Sequence, residues 1–214
     1  MKFIVRFTII FILTYAMCLL LYKLNFISKP INQTLKNITT SWVATFLPSA
    51  DISYQEMNTK ANSNSDMYLV YGNPVLIQSA KEEAKRSSQQ FATIPTKSME
   101  LHLFEMYIVP LFFLMSLFVA TPLEWKSRMK GLAISILILL IFILIKILCL
   151  CLFEISNNRI GIYELGDSNM QWLSTILGVL SLGLSISLVF ILWLIFGFRK
   201  SNFVQNFKLL FGNV

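Results

Sequence analysis

Four apolar runs separated by polar stretches order this chain, at residues 8–22, 104–120, 131–153 and 172–198. The middle two lie closest together and set the frame. The first reads FEMYIVPLFFLMSLFVA and the second GLAISILILLIFILIKILCLCLF. Each is long enough, or nearly so, to cross a hydrocarbon layer of ~30 Å at ~1.5 Å per helical residue. Between them, TPLEWKSRMK supplies Pro122 as a helix stop, Trp125 as an interfacial aromatic, and Lys126, Arg128 and Lys130 as a basic cluster. Basic residues beside a span mark the cytoplasmic side. The pattern predicts a helical hairpin standing in a membrane, with a short loop over residues 122–131 facing the cytoplasm.

Upstream, Lys2 and Arg6 precede TIIFILTYAMCLLLY, and Lys23 follows it. This is the charge layout of a signal peptide without a small-x-small cleavage site. Residues 1–23 are therefore expected to be an uncleaved signal-anchor helix. Residues 24–103 form the one sizeable polar region and are expected outside. A helix opening at Pro30 would put Ile31, Leu35, Ile38, Trp42, Val43 and Phe46 on one apolar stripe that ends near Pro48. DISYQEM (51–57) and DMYLVYG (66–72) read as two strands around a polar turn, and residues 78–91 as a polar helix. Core candidates are few, so this region is expected to lean on the bilayer or on a partner.

Beyond the hairpin, residues 154–170 make a short loop with three acids and one base. The last run then sets Ser174, Gly178, Ser181 and Ser185 at i, i+4, i+7 and i+11. In lipid, a stripe of small residues lets another helix approach closely, because apolar side chains gain nothing by leaving lipid for each other. That helix could belong to another protein or to this chain. After Arg199 and Lys200, the tail at 199–214 would carry Phe203, Phe207, Leu210 and Phe211 on one face of a short surface helix. The expected fold class is an all-α membrane protein with both termini cytoplasmic. Four transmembrane helices would carry a small α+β periplasmic insertion between the first and second. The expected units are 1–23, 24–103, 104–198 and 199–214.

Composition agrees with this frame. Of the 214 residues, 56% are hydrophobic and 14% charged, against roughly a quarter charged in soluble domains. The net charge of +7 would suit nucleic acid, but the bases cluster beside the apolar runs and no nucleic-acid-binding signature is present. Cys18, Cys149 and Cys151 all lie inside apolar runs. Two residues apart on a helix, Cys149 and Cys151 point to nearly opposite sides, so a disulfide framework is not expected.

Candidate chemistry centres on Lys146, the one ionisable residue well inside a run. It would sit ~22 Å above the inner boundary. Glu105, at a similar height on the neighbouring arm, is its expected partner; snorkelling to the outer surface is the alternative. Ser116 would lie only ~8 Å above the inner boundary, too far from Lys146 for a serine–lysine pair. His102, flanked by Glu100 and Glu105, makes no convincing metal set. No phosphate-binding glycine loop or nucleophile elbow occurs, and no cofactor is expected.

The run MYIVPLFFLMSLFVATPLEWKSRMKGLAISILILL resembles the exosortase H-associated membrane proteins, a bacterial family encoded beside exosortase H. Their "G-x-P-L-x-x-A" span is reduced here to Val109-Pro110-Leu111, with Ile108 where the glycine would stand. Their "A-T-P-L-x-W-x-x-R" turn runs from Ala120 to Arg128, and the tail FRKSNFVQNF is similar to the family's basic end. LIFILIKI around Lys146 looks like the span where exosortases carry an arginine. Their cysteine and histidine have no counterparts on the second and last runs. The resemblance thus implies a non-catalytic inner-membrane accessory of a protein-sorting system, with an exosortase-like partner and membrane lipid around it. A degenerate intramembrane peptidase using Lys146 is the alternative.

Overall fold

The structure, a computed structural model, describes residues 2–56, 66–86, 95–181 and 183–198. Helices dominate. In chain order they are α1 (Lys2–Tyr22), α2 (Asn25–Phe46), α3 (Pro74–Arg86), α4 (Val109–Ala120), α5 (Trp125–Asn157), α6 (Asp167–Ser181) and α7 (Leu184–Phe196). Three strands, β1 (Asp51–Glu56), β2 (Asp66–Gly72) and β3 (Thr96–His102), form one antiparallel sheet in the order β1-β2-β3. The expected tail helix and the turn after residue 56 lie outside the described residues, as does the end of the polar helix beyond residue 86.

Among the described residues, two helices are long and apolar enough to cross a membrane by length and composition, Ile4–Tyr22 and Trp125–Asn157. The chain is in this sense a mostly helical membrane protein. Its second apolar run is a shorter helix, Phe104–Ala120, whose first turn is a π-helix at Phe104–Ile108. Pro110 lacks an N–H for the Met106 carbonyl, and the turn before it is widened. The last run is two helices instead of the continuous one expected. Gly183 stands between them at φ 73°, a left-handed conformation that ends one helix and starts the next. The hairpin loop is also shorter than expected. Helix α5 already begins at Trp125, so Lys126, Arg128 and Lys130 stand on its first turns.

The chain divides into two compact units. The first contains Met1–Ser28, Phe104–Ile143 and Leu182–Val214. Here α1, α4 and α7 pack through aromatic rings. Phe113 meets Phe11, Tyr15 and Phe190 edge-on at centroid distances of 5.2, 5.9 and 5.2 Å. Helix α5 meets α7 at Gly131, where a Cβ would lie 2.9 Å from the Phe196 carbonyl oxygen. Ser135, one turn further on, is fully buried. The missing side chain at Gly131 is what lets the backbones approach.

The second unit contains Lys29–Leu103 and Leu144–Ser181. In its sheet β3 alternates, with Met99 and Leu101 buried, while Met67, Leu69, Val70 and Tyr71 of β2 are all buried. The register pairs Met67 with Leu101 and Leu69 with Met99. These cross-strand apolar pairs give the sheet its core face. Helix α2 departs from expectation at both ends of the argument. It begins before Pro30, which sits inside it. Its buried face carries Asn32, Leu35, Lys36, Thr39 and Val43, whereas Ile38 and Phe46 of the expected stripe are 47% and 52% exposed.

Candidate functional site

In the second unit a groove runs between α5 and α6, enclosing about 460 Å³. Lys146, Leu150, Phe153 and Glu154 line it from α5, and Ser174, Leu177 and Gly178 from α6. The spacing explains the lining. Positions 146, 150, 153 and 154 fall at i, i+4, i+7 and i+8, and 174, 177 and 178 at i, i+3 and i+4, so each set occupies one helix face. Lys146 and Glu154 stand two turns apart, ~12 Å along α5. The groove is therefore apolar between a cation at one end and a carboxylate at the other.

The loop that connects α5 to α6 is held by hydrogen bonds. Ser156 Oγ accepts the Leu165 N–H at 2.9 Å, and Asn73 Nδ2 donates to the Ile160 carbonyl at 3.2 Å. Tyr163 Oη accepts the Ser49 N–H at 3.0 Å. Arg159 and Tyr163 adopt φ of 47° and 49°, a left-handed conformation that costs a non-glycine residue ~1–2 kcal/mol each. Those hydrogen bonds offset the strain. At the acidic end, Asn158 Nδ2 donates to Tyr71 Oη at 2.7 Å and to the Glu154 carbonyl at 2.8 Å. Burial first, then the nearby Glu154 carboxylate, pushes the Tyr71 hydroxyl up to about 12, although the Asn158 amide bonded to it works the other way. A phenol that stays protonated is a fixed, neutral partner for Asn158 behind Glu154.

Among the residues singled out from the sequence, the groove brings together Lys146, Ser174 and Gly178. Ser181 ends α6, and Ser185 stands on α7, so the four-residue stripe is divided between two helices. Gly178 opens on space: a Cβ built there has nothing within 4 Å. Glu105 belongs to the first unit and Lys146 to the second, so their expected ion pair is not among the contacts within either. Ser116 donates to the Phe112 carbonyl at 2.7 Å, the local bond usual for a serine in an apolar helix. His102 Nε2 lies 3.5 Å from Glu100 Oε1 on β3, with both side chains about half exposed. Among the described residues, no three His, Cys, Asp or Glu side chains gather as a metal ligand set.

Lys126 and Lys130 are exposed, but Arg128 is half-buried. Its Nη2 donates to the Thr121 and Leu123 carbonyls at 3.1 and 3.2 Å, closing the C-terminal end of α4. Charge counting along the sequence gives Arg128 the same weight as its two neighbours and misses this role. A signal was present, since an arginine a few residues past a helix end can reach the last carbonyls. Glu154 and Asn158 also escape sequence reading. Their role depends on Tyr71, 83 and 87 positions away in sequence, and no local pattern announces it.

No protein-family model, curated protein or solved structure matches the chain.

Proposed function

We propose that this chain is a non-catalytic accessory subunit of an exosortase-type protein-sorting system in a bacterial inner membrane. In this reading it crosses four times, with α6 and α7 as one broken span, and both termini are cytoplasmic. The groove between α5 and α6 receives a helix of the exosortase-like partner. The open space at Gly178 carries the proposal. A glycine facing a groove next to an exposed serine leaves room for a second backbone, and close approach is what favours association in lipid. Lys146 adds a cation that a carboxylate or free carbonyl of the partner helix would accept.

The test is co-expression of the tagged chain with the exosortase-like protein and recovery in mild detergent. Gly178→Leu fills the groove and should lower partner recovery per folded molecule by about tenfold, ~1.4 kcal/mol. Unchanged recovery rejects the reading. Orientation is tested separately, with single cysteines at Ser63, Ser127 and Asn202 in a chain lacking its native ones. An impermeant thiol reagent on intact cells should label position 63 alone.

A second reading has one observation in its favour: Ser174 and Lys146 line the same cavity, as a serine–lysine peptidase would require. No hydrogen bond joins them among the described residues. If they are catalytic, Ser174→Ala and Lys146→Met each abolish processing while partner recovery survives. Lys146→Arg should then fail to rescue, because arginine does not deprotonate to serve as a base. Pairing of Lys146 with Glu105 predicts instead that Lys146→Met and Glu105→Gln each destabilise and that together they cost less than their sum.

A further inference from the structure

A second cavity lies in the first unit, apart from the groove. About 250 Å³ in volume, it is lined by Arg6, Phe7 and Ile10 of α1, by Val119 to Pro122 at the end of α4, and by Arg128 of α5. No carboxylate is among these residues. Two arginines therefore line one space whose lining holds no countercharge. Arg128 is not free to swing away, because its Nη2 holds two carbonyls. Thr121, whose carbonyl is one of them, is itself fixed. Its hydroxyl donates to the Leu117 carbonyl at 2.6 Å and accepts Trp193 Nε1 at 2.8 Å. Arg128 Nε is buried and has no acceptor among the described residues. A buried N–H left unpaired is costly, and it marks where an acceptor would gain most.

We propose that this cavity binds the phosphodiester of an anionic phospholipid. Arg6 and Arg128 would hold the phosphate oxygens through charge-assisted hydrogen bonds, for which the guanidinium is well shaped. Phe7, Ile10 and Val119 offer apolar surface to the start of the acyl chains, which a free anion would leave unused. A zwitterionic lipid carries the same phosphodiester, but its quaternary ammonium would meet two arginines with no acid to receive it. The cavity thus favours a headgroup without a cation.

Titration of the purified full-length chain in detergent, read by native mass spectrometry, tests this with phosphatidylglycerol, phosphatidylcholine and inorganic phosphate as probes. Arg6→Gln is the informative variant, because Arg6 is exposed and caps nothing in the fold. Lys126→Gln removes an equally exposed charge outside the cavity. Phosphatidylglycerol should bind in preference to phosphatidylcholine and resist displacement by phosphate. Its affinity should fall about tenfold in Arg6→Gln, the loss of one charge-assisted bond, and by less than about twofold in Lys126→Gln. Equal losses in the two variants would mean diffuse attraction to a basic surface and would overturn the site. Equal binding of the two lipids would overturn the headgroup assignment. Displacement by phosphate would make a free anion the ligand in place of a lipid.

Discussion

In the first unit, Phe113 is surrounded by three rings from two other helices, and α5 meets α7 backbone to glycine at Gly131. In the second, the longest-range ties are hydrogen bonds: Asn158 to Tyr71, Asn73 to Ile160 and Ser49 to Tyr163. The difference follows from composition: the helices of the first unit are largely apolar, whereas the bonds of the second come from polar positions in its strands, loops and helix ends. Apolar side chains gain little from one another in an apolar environment, so among such helices position must come from shape, ring geometry and close approach. Polar bonds instead choose one arrangement among many equally buried ones. The first unit should be sensitive to size, and the second to the loss of polar atoms.

The largest effect is expected at Gly131. Its Cβ position lies 2.9 Å from the Phe196 carbonyl and 3.0 Å from a Phe118 ring carbon. Gly131→Leu should cost ~3 kcal/mol as overpacking that the backbone has no room to relieve. A fall in the thermal midpoint in detergent would show it. A midpoint unchanged from the parent would mean that α5 and α7 do not depend on this approach, and the contrast between the units would lose its clearest case.

Two changes of about equal size then separate the units directly. Phe113→Leu keeps apolar bulk but removes three edge-on ring pairs, each worth ~0.5–1.5 kcal/mol, and should cost ~2 kcal/mol. Asn158→Leu keeps volume in the second unit but leaves the buried Tyr71 hydroxyl without its donor, and should also cost ~2 kcal/mol. The near-ultraviolet circular dichroism of the aromatic rings and the urea midpoint of the second unit measure the two. If Asn158→Leu is neutral while Phe113→Leu is not, burial alone holds the second unit.

How much of this was legible depended on how far each residue's partners lie along the chain. Helices α1 and α5 contain apolar runs of lengths that only a span or a buried helix requires, and the pattern finds them. The β1 and β2 runs alternate and were expected within one residue of where they lie. β3 is harder to see because TKSMELH has only Met99 and Leu101 to alternate, and its place is set by pairing with β2. The face of α2 misled for a related reason. Its apolar residues form the more obvious stripe, but Asn32, Lys36 and Thr39 are buried with Leu35 and Val43. Gly178 and Gly131 illustrate the same limit in the candidate sites. Small-residue spacing drew attention to the stripe on α6, where the structure leaves open space. Gly131, which meets another helix, stands at the foot of α5 among basic residues that suggest a loop.

The smallest effect is at Tyr71, and its dependence on pH makes it measurable. Tyr71→Phe removes one hydroxyl but leaves Asn158 Nδ2 its other acceptor, the Glu154 carbonyl, so the cost should be only ~1 kcal/mol at neutral pH. The folded state holds the Tyr71 proton up to about 12, whereas the unfolded chain releases it near 10.0. Above that lower value the unfolded state has fewer protons bound than the folded one, so stability falls as pH rises. The contribution from this group is complete below pH ~10 and is lost on the way to pH ~12. Parent and Tyr71→Phe proteins should therefore differ by a constant amount from pH 7 to 9 in urea titrations. Above pH 10 the parent should lose stability faster, so that the two curves draw together and then cross. Parallel curves throughout would mean that Tyr71 reaches water in the folded state, and the Asn158–Tyr71 bond would not be the sealed contact that the second unit relies on.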